Sequence, residues 1–94
     1  MLEEVDWSYR GEYMQRRHGI TPIVAGEALC DPDRVVLDPD PASKSGRGTR
    51  TVGYSPTVAS LVTVILLDND GTTYGVNGWY SNSTDQRRYR EGAP

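Results

Sequence analysis

The sequence predicts an α+β fold: two N-terminal helices, a four-stranded antiparallel sheet and a short C-terminal helix, in one domain of residues 1–94. Three observations carry that expectation. Apolar residues keep helical spacing up to residue 29, and strand-like β-branched runs replace them after residue 34. Residues 61–67 are apolar at nearly every position, as in a central strand. Short turn signals separate the later segments, which favours a meander of sequential neighbours.

Residues 1–7 either lead in or add an edge strand. Ser8 can cap a helix over residues 9–18, and Gly19 suits the left-handed residue that ends it. Tyr9, Tyr13, Arg16 and Ile20 fall at helical spacing, with Met14 beside them. Thr21-Pro22 opens a second helix, because Thr caps well and Pro is tolerated at the first helical position. Its apolar stripe reads Ile23, Val24, Ala28 and Leu29, and Asp31-Pro32 stops it. Residues 34–37 form a brief strand, and the Pro, Gly, Ser, Asp and basic residues of 38–48 form a loop.

Residues 49–55 alternate, with Arg50, Val52 and Tyr54 on one side of the pleat. Residues 60–67 give the central strand. Asp68-Asn69-Asp70-Gly71 turns the chain, and residues 72–80 return antiparallel. Ser83-Thr84-Asp85-Gln86 has the form of a capping box, starting a last helix through Arg90 with Gly92 beyond.

Composition excludes several function classes. With 94 residues, 36% hydrophobic and 24% charged, the chain has the make-up of one folded domain. It has no Phe, so two Trp and six Tyr supply the large aromatic volume. A single Cys and a single His rule out a disulfide framework and give no ligand spacing for a metal site. No cofactor motif is present. The longest apolar run is too short to cross a bilayer, and the acidic start lacks the pattern of a signal peptide, so the expected location is cytoplasmic. A net charge of −3 argues against avid non-specific nucleic-acid binding. The bases nevertheless cluster at Arg16-Arg17, in residues 44–50, and at Arg87, Arg88 and Arg90.

The residues that could carry chemistry each have two readings. His18 is either a helix-end residue satisfying carbonyls or a proton-transfer group poised near neutrality. Residues 43–48, Ser-Lys-Ser-Gly-Arg-Gly, are either a hairpin loop or a cradle of amides and cations for phosphate, although the phosphate-loop pattern is not matched. Arg50 is either a partly solvated residue covering Val52 or a two-pronged phosphate ligand. Tyr80 is either a sheet aromatic reaching water or a hydrogen-bond donor to developing charge. Arg87, Arg88 and Arg90 are most simply a solvated helix face.

Taken in order, Val5-Asp6-Trp7, Arg17-His18-Gly19-Ile20, Glu27-Ala28 with Asp31, the strands 50–55 and 61–67, and Asn77 to Asn82 followed by Asp85 and Tyr89 resemble the BrnT family of toxin–antitoxin ribonucleases. That resemblance implies a RelE-like fold and metal-independent cleavage of RNA. It implies catalytic roles for His18, Arg50 and Tyr80, with Arg17, Lys44, Arg47, Arg87 and Arg88 binding RNA. It further implies a cognate antitoxin, of ribbon-helix-helix type, as partner. One departure is plain: the arginine of the family's last strand is absent, with Trp79 or Tyr80 in its place. The alternative is therefore a catalytically degenerate homologue that acts as a non-enzymatic binding or regulatory module.

Overall fold

A computed structural model describes residues 4–92 of the chain. In order along the chain come β1 (Val5–Asp6), α1 (Gly11–His18), α2 (Pro22–Cys30), β2 (Val35–Leu37), β3 (Gly48–Ser55), β4 (Ser60–Asn69), β5 (Thr72–Tyr80) and α3 (Ser83–Glu91). The sheet order is β1-β5-β4-β3-β2.

The α+β class holds, and the expected four-strand antiparallel sheet is corrected to a five-stranded mixed one. β2 to β5 form the anticipated antiparallel meander. Val5 and Asp6 add a parallel edge against Thr73 and Tyr74. The chain then crosses over the sheet through Trp7 into α1, so this strand never neighbours its successor in sequence. That crossover is invisible to a reading built on consecutive hairpins.

Helix boundaries follow local hydrogen bonding. Ser8 does not cap α1, because its amide and hydroxyl both turn back to the Asp6 carboxylate. The helix starts two residues later than expected, with the Gly11 amide donating to Trp7 O at 2.8 Å. Thr21 caps α2 as expected, accepting from the Val24 amide at 3.2 Å. The cap of α3 is Asn82 rather than Ser83, its Oδ1 accepting from the Asp85 amide at 2.9 Å, while Gln86 reaches back to Ser81 O. Gly19 and Gly92 end their helices in the left-handed region, as C-terminal glycines do.

Helices α1 and α2 cover one sheet face. Met14, Ile20, Val24, Ala25, Ala28, Leu29, Val62 and Val64 form the apolar core, with Val5, Trp7, Val58 and Leu66 at its margin. Three stripe residues are reassigned. Ile23 lies 72% exposed and Ala25 takes its place in the core, while Tyr9 and Tyr13 are exposed and Met14 carries the contact of α1. Tyr9 instead meets Tyr74 edge-on, and Arg10 lies over the Tyr13 ring.

Three glycines let these helices approach. A side chain at Gly53 would fall on the backbone of Ala28, and one at Gly75 on the Trp7 indole. At Gly78 a Cβ would meet the Met14 sulfur at 2.9 Å. Gly75 and Gly78 sit three apart yet share a face, because the β4–β5 register shifts between Ile65 and Leu66. Val76 is the extra residue, and its carbonyl accepts from Arg10 Nε at 3.2 Å.

The strand expected to be central is central, but burial on both faces holds only at Val62, Thr63 and Val64. Leu61, Ile65, Leu66 and Leu67 are half-buried. The second face is covered only where α3 lies, in contact with β3.

The close approach of α2 to β3 predicts opposite effects for two Gly→Ala changes. Gly53→Ala should destabilise by about 1–3 kcal/mol, the usual range for overpacking. Gly26→Ala, inside α2 with open space around it, should stabilise by roughly 0.5–1 kcal/mol. Urea-denaturation midpoints of the two variants check both signs.

Candidate functional site

Cross-strand pairing decides which side chains share the α3 face. Arg50 pairs with Ile65 and Val52 with Thr63, and Thr63 pairs with Trp79 on the next strand. These residues point away from α1 and α2. Thr63 is a polar residue in an otherwise apolar strand, and its burial requires a hydrogen-bonding partner.

That partner is Asp85 in the first turn of α3. Its side chain is fully buried. Oδ2 accepts from Arg50 Nη1 at 2.9 Å and from the Thr63 hydroxyl at 2.9 Å, and Oδ1 accepts from Arg88 Nη1 at 2.7 Å. Ser81 and Thr63 share a further hydroxyl contact at 2.8 Å. On its other edge Arg50 donates from Nε to Asp40 Oδ1 at 2.9 Å, and Asp40 is itself buried. Two cations meet two carboxylates, so the cluster carries no net charge. No buried side-chain polar atom among the described residues lacks a partner.

Beside this cluster runs a row of flat groups. The Arg50 guanidinium carbon lies 5.7 Å from the centre of the Trp79 ring. The His18 ring lies 5.9 Å from the same indole at an interplanar angle of 56°. His18 is the last residue of α1 and half-buried. The structure therefore brings His18, Trp79 and Arg50 together around the indole, with Arg88 joined to Arg50 through Asp85.

The other expected site residues lie elsewhere. Tyr80 is the next residue after Trp79, so strand alternation groups it with Gly78 and Val62 rather than with Arg50. It is 48% exposed and lines an open cleft of about 360 Å³ with Tyr54, Leu61 and Gln86. Lys44 and Arg47 are exposed in the loop before β3, where Arg47 Nη2 donates to Asn69 Oδ1 at 3.2 Å. The amides expected to cradle phosphate there are already taken: Gly46 and Gly48 both donate to Ser43 Oγ at 3.2 Å. Arg17 is exposed beside His18, and Arg87 is exposed on α3. No three His, Cys, Asp or Glu side chains gather in a ligand geometry among the described residues. No helix of these residues is long and apolar enough to cross a membrane.

Sequence reasoning missed the central roles of Asp85 and Asp40. In the sequence Asp85 stood only inside the Ser83-Thr84-Asp85-Gln86 capping pattern and in the resemblance, and in the structure it is an acid in the first turn of α3. The signal that could have found it was Thr63, a hydroxyl inside a strand apolar on both sides.

A second polar link ties α3 to the rest. Asp31 Oδ2 accepts from the Tyr54 amide at 2.7 Å and from the Tyr89 hydroxyl at 2.6 Å. Burial pushes the Asp31 carboxyl up, but hydrogen bonds from Tyr89, Asp33 and Tyr54 and the charge of Arg34 outweigh it and hold it below its ordinary value. The Tyr89 phenol is pushed up to about 12, first by its bond to Asp31, then by burial and the Asp31 and Asp33 charges. Glu27 is held low by Ser55 and Thr57, whose groups it receives at the β3–β4 turn.

A raised phenol contributes stability that is fully present below the unfolded value of about 10 and is lost as pH rises towards the folded value. Tyr89→Phe should therefore cost roughly 0.5–1.5 kcal/mol near neutral pH. The gap between wild type and variant should close on titrating from about pH 9 to about 12, as read from denaturation midpoints.

Compared with protein-family models and with curated proteins, the sequence finds no match.

Proposed function

We propose that this chain is a toxin-type domain resembling the BrnT family, which cleaves single-stranded RNA without a metal, acts in the cytoplasm and is checked by a ribbon-helix-helix antitoxin. The observation that supports this best is the row of imidazole, indole and guanidinium formed by His18, Trp79 and Arg50. Single-stranded RNA is commonly held by stacking its unpaired bases on aromatic rings and arginine planes. Trp79 offers such a ring between a group that can move protons and a group that can bear on phosphate charge.

In this reading a base takes the proton of the ribose 2′-hydroxyl, and that oxygen attacks the adjacent phosphorus. The bond to the 5′-oxygen breaks, and this oxygen leaves with a proton from an acid. A cyclic phosphate and a free 5′-hydroxyl result. His18 is the candidate for proton transfer, since a neutral imidazole accepts and an imidazolium donates. Arg50 is the candidate cation for the charge that builds on phosphate oxygens. Arg17, exposed beside His18, would meet the backbone of the strand.

A second reading has its own support. Arg50 is bonded at two edges to buried carboxylates, and the arginine of the family's last strand is absent, with Trp79 or Tyr80 in its place. Both features suit a non-enzymatic binding module that keeps the fold and the partner-facing surface.

Purified protein incubated with single-stranded RNA and a chelator separates the two. The ribonuclease reading expects cleavage that leaves cyclic phosphate ends, slowed by about 10²–10⁴-fold in His18→Ala and with an altered pH profile. Absence of cleavage by wild type, with cleavage gained in Trp79→Arg, would support the degenerate module. Absence from both overturns the enzyme reading.

A further inference from the structure

Helix α3 is docked in an unusual way. Its sequence, Ser-Thr-Asp-Gln-Arg-Arg-Tyr-Arg-Glu, has no aliphatic residue. Its anchors are polar: Asp85 held by Arg50, Thr63 and Arg88, Gln86 bonded to Ser81 O, and Tyr89 bonded to Asp31. The helix itself brings no aliphatic side chain to this contact, although Val35 and Val52 are buried on the face it packs against. A buried ion pair gains in Coulomb attraction about what it loses in desolvation, so its net contribution to docking is small. Such a helix can be displaced by a ligand that satisfies the donors left on the sheet, Arg50 and Thr63.

The donors define that ligand. Arg50 Nη1, Arg88 Nη1 and the Thr63 hydroxyl converge on the two oxygens of one carboxylate. A phosphodiester presents two oxygens and the same charge as a carboxylate, a terminal phosphoryl group of a diphosphate three oxygens and greater charge, and a guanidinium meets either with charge-assisted bonds. Asp40 stays on Arg50 Nε and would hold the guanidinium in place after Asp85 left. The receptor is thus oriented by one carboxylate and filled by the other.

We propose that Arg50 and Thr63, on the sheet, form a phosphoryl-anion site that Asp85 occupies from within, so that α3, carrying Asp85 and Arg88 together, is a displaceable plug. A phosphodiester or a diphosphate competes with Asp85, and its binding loosens α3 while leaving β4 and the α1–α2 core in place. The proposal rests on reading Arg50 as a phosphate ligand. It explains how that arginine can be ion-paired twice in the free protein and still serve a substrate.

Hydrogen exchange on wild-type protein tests this, with millimolar pyrophosphate against chloride of matched ionic strength. The expected result is exchange about ten-fold faster at the amides of residues 86–91 in pyrophosphate, with residues 62–66 unchanged. Equal protection of α3 in both salts overturns the plug. Calorimetric titration of Asp85→Asn gives a second readout: pyrophosphate affinity should rise about ten-fold over wild type once the competing charge is gone, and unchanged affinity counts against the site. Should that variant fail to fold, the wild-type exchange data decide. RNA cleavage with α3 unmoved by pyrophosphate would sink the plug and leave the ribonuclease reading. An α3 that responds in a protein inert on RNA would do the reverse.

Discussion

The Asp85 carboxylate is the constraint on which the second half of the molecule depends. A fully buried carboxylate persists only if every oxygen is met by strong donors. Meeting them fixes the position of three separate pieces of chain: Arg50 on β3, Thr63 at the centre of β4 and Arg88 one turn along α3. Through Arg50 the constraint extends to Asp40, and so to the loop before β3, which is otherwise ordered by its own short-range turns and by the bond from Arg47 to Asn69. Removing the carboxylate would leave two guanidinium groups and a hydroxyl facing a poorly solvated space. Removing either arginine would leave a buried negative charge. The cluster therefore acts as a unit, and single substitutions in it report on the whole network rather than on one contact.

The two faces of the sheet are built on different physics. On the α1–α2 face, shape decides: glycines at 53, 75 and 78 remove the side chains that would hold the helices off, and a bulge at Val76 keeps the last two on one side. Dispersion and apolar burial then fix that layer with little directional demand. On the α3 face, Val35 and Val52 are buried, but the helix that lies over them has no aliphatic residue, and charge and hydrogen-bond geometry place it. A change in ionic conditions should leave the first layer intact and act on the second. Lasting structure and adjustable structure are thus separated by one sheet, and the His18–Trp79–Arg50 row lies at the margin between them.

This division also explains what could be read from the sequence. Strands 60–67 and 72–80, the Thr21-Pro22 helix start and the two C-terminal glycines were legible, because each depends on residues within a few positions of one another. An edge strand in residues 1–7 was one of two open readings, and neither its parallel pairing nor its partner was legible, since two residues have no periodicity and their partners lie almost seventy positions away. Ser8 looked like a cap, and Asp6 drew its hydroxyl away. Ile23 and Ala25 exchanged places in the core, and the small residue that α2 lays on Gly53 of β3 is Ala28. His18 and Arg50 were legible as candidates by residue type. Their meeting around Trp79 was not, because it depends on strand register, and register also turned Tyr80 to the opposite side.

The charge balance bears on how such a site would hold RNA. Asp40, Arg50, Asp85 and Arg88 cancel among themselves, so the remaining residues still carry the chain's net charge of −3. A surface of that sign gives no long-range attraction for a polyanion. If the chain binds RNA as proposed, contacts made at short range would supply the affinity: stacking on Trp79, and cations such as Arg17, exposed on α1. Stacking is worth roughly 1–3 kcal/mol per base and depends little on salt, whereas phosphate contacts weaken steeply as salt rises. The internal pairing of Arg50 and Arg88 suits a protein that ignores phosphate until a strand has already docked by its bases. Only then would the local concentration of phosphate oxygens be high enough to compete with Asp85. An arginine held by its own helix and released at the docked strand would confine the chemistry to bound RNA, and the same arrangement with the arginine never released would be a binding module.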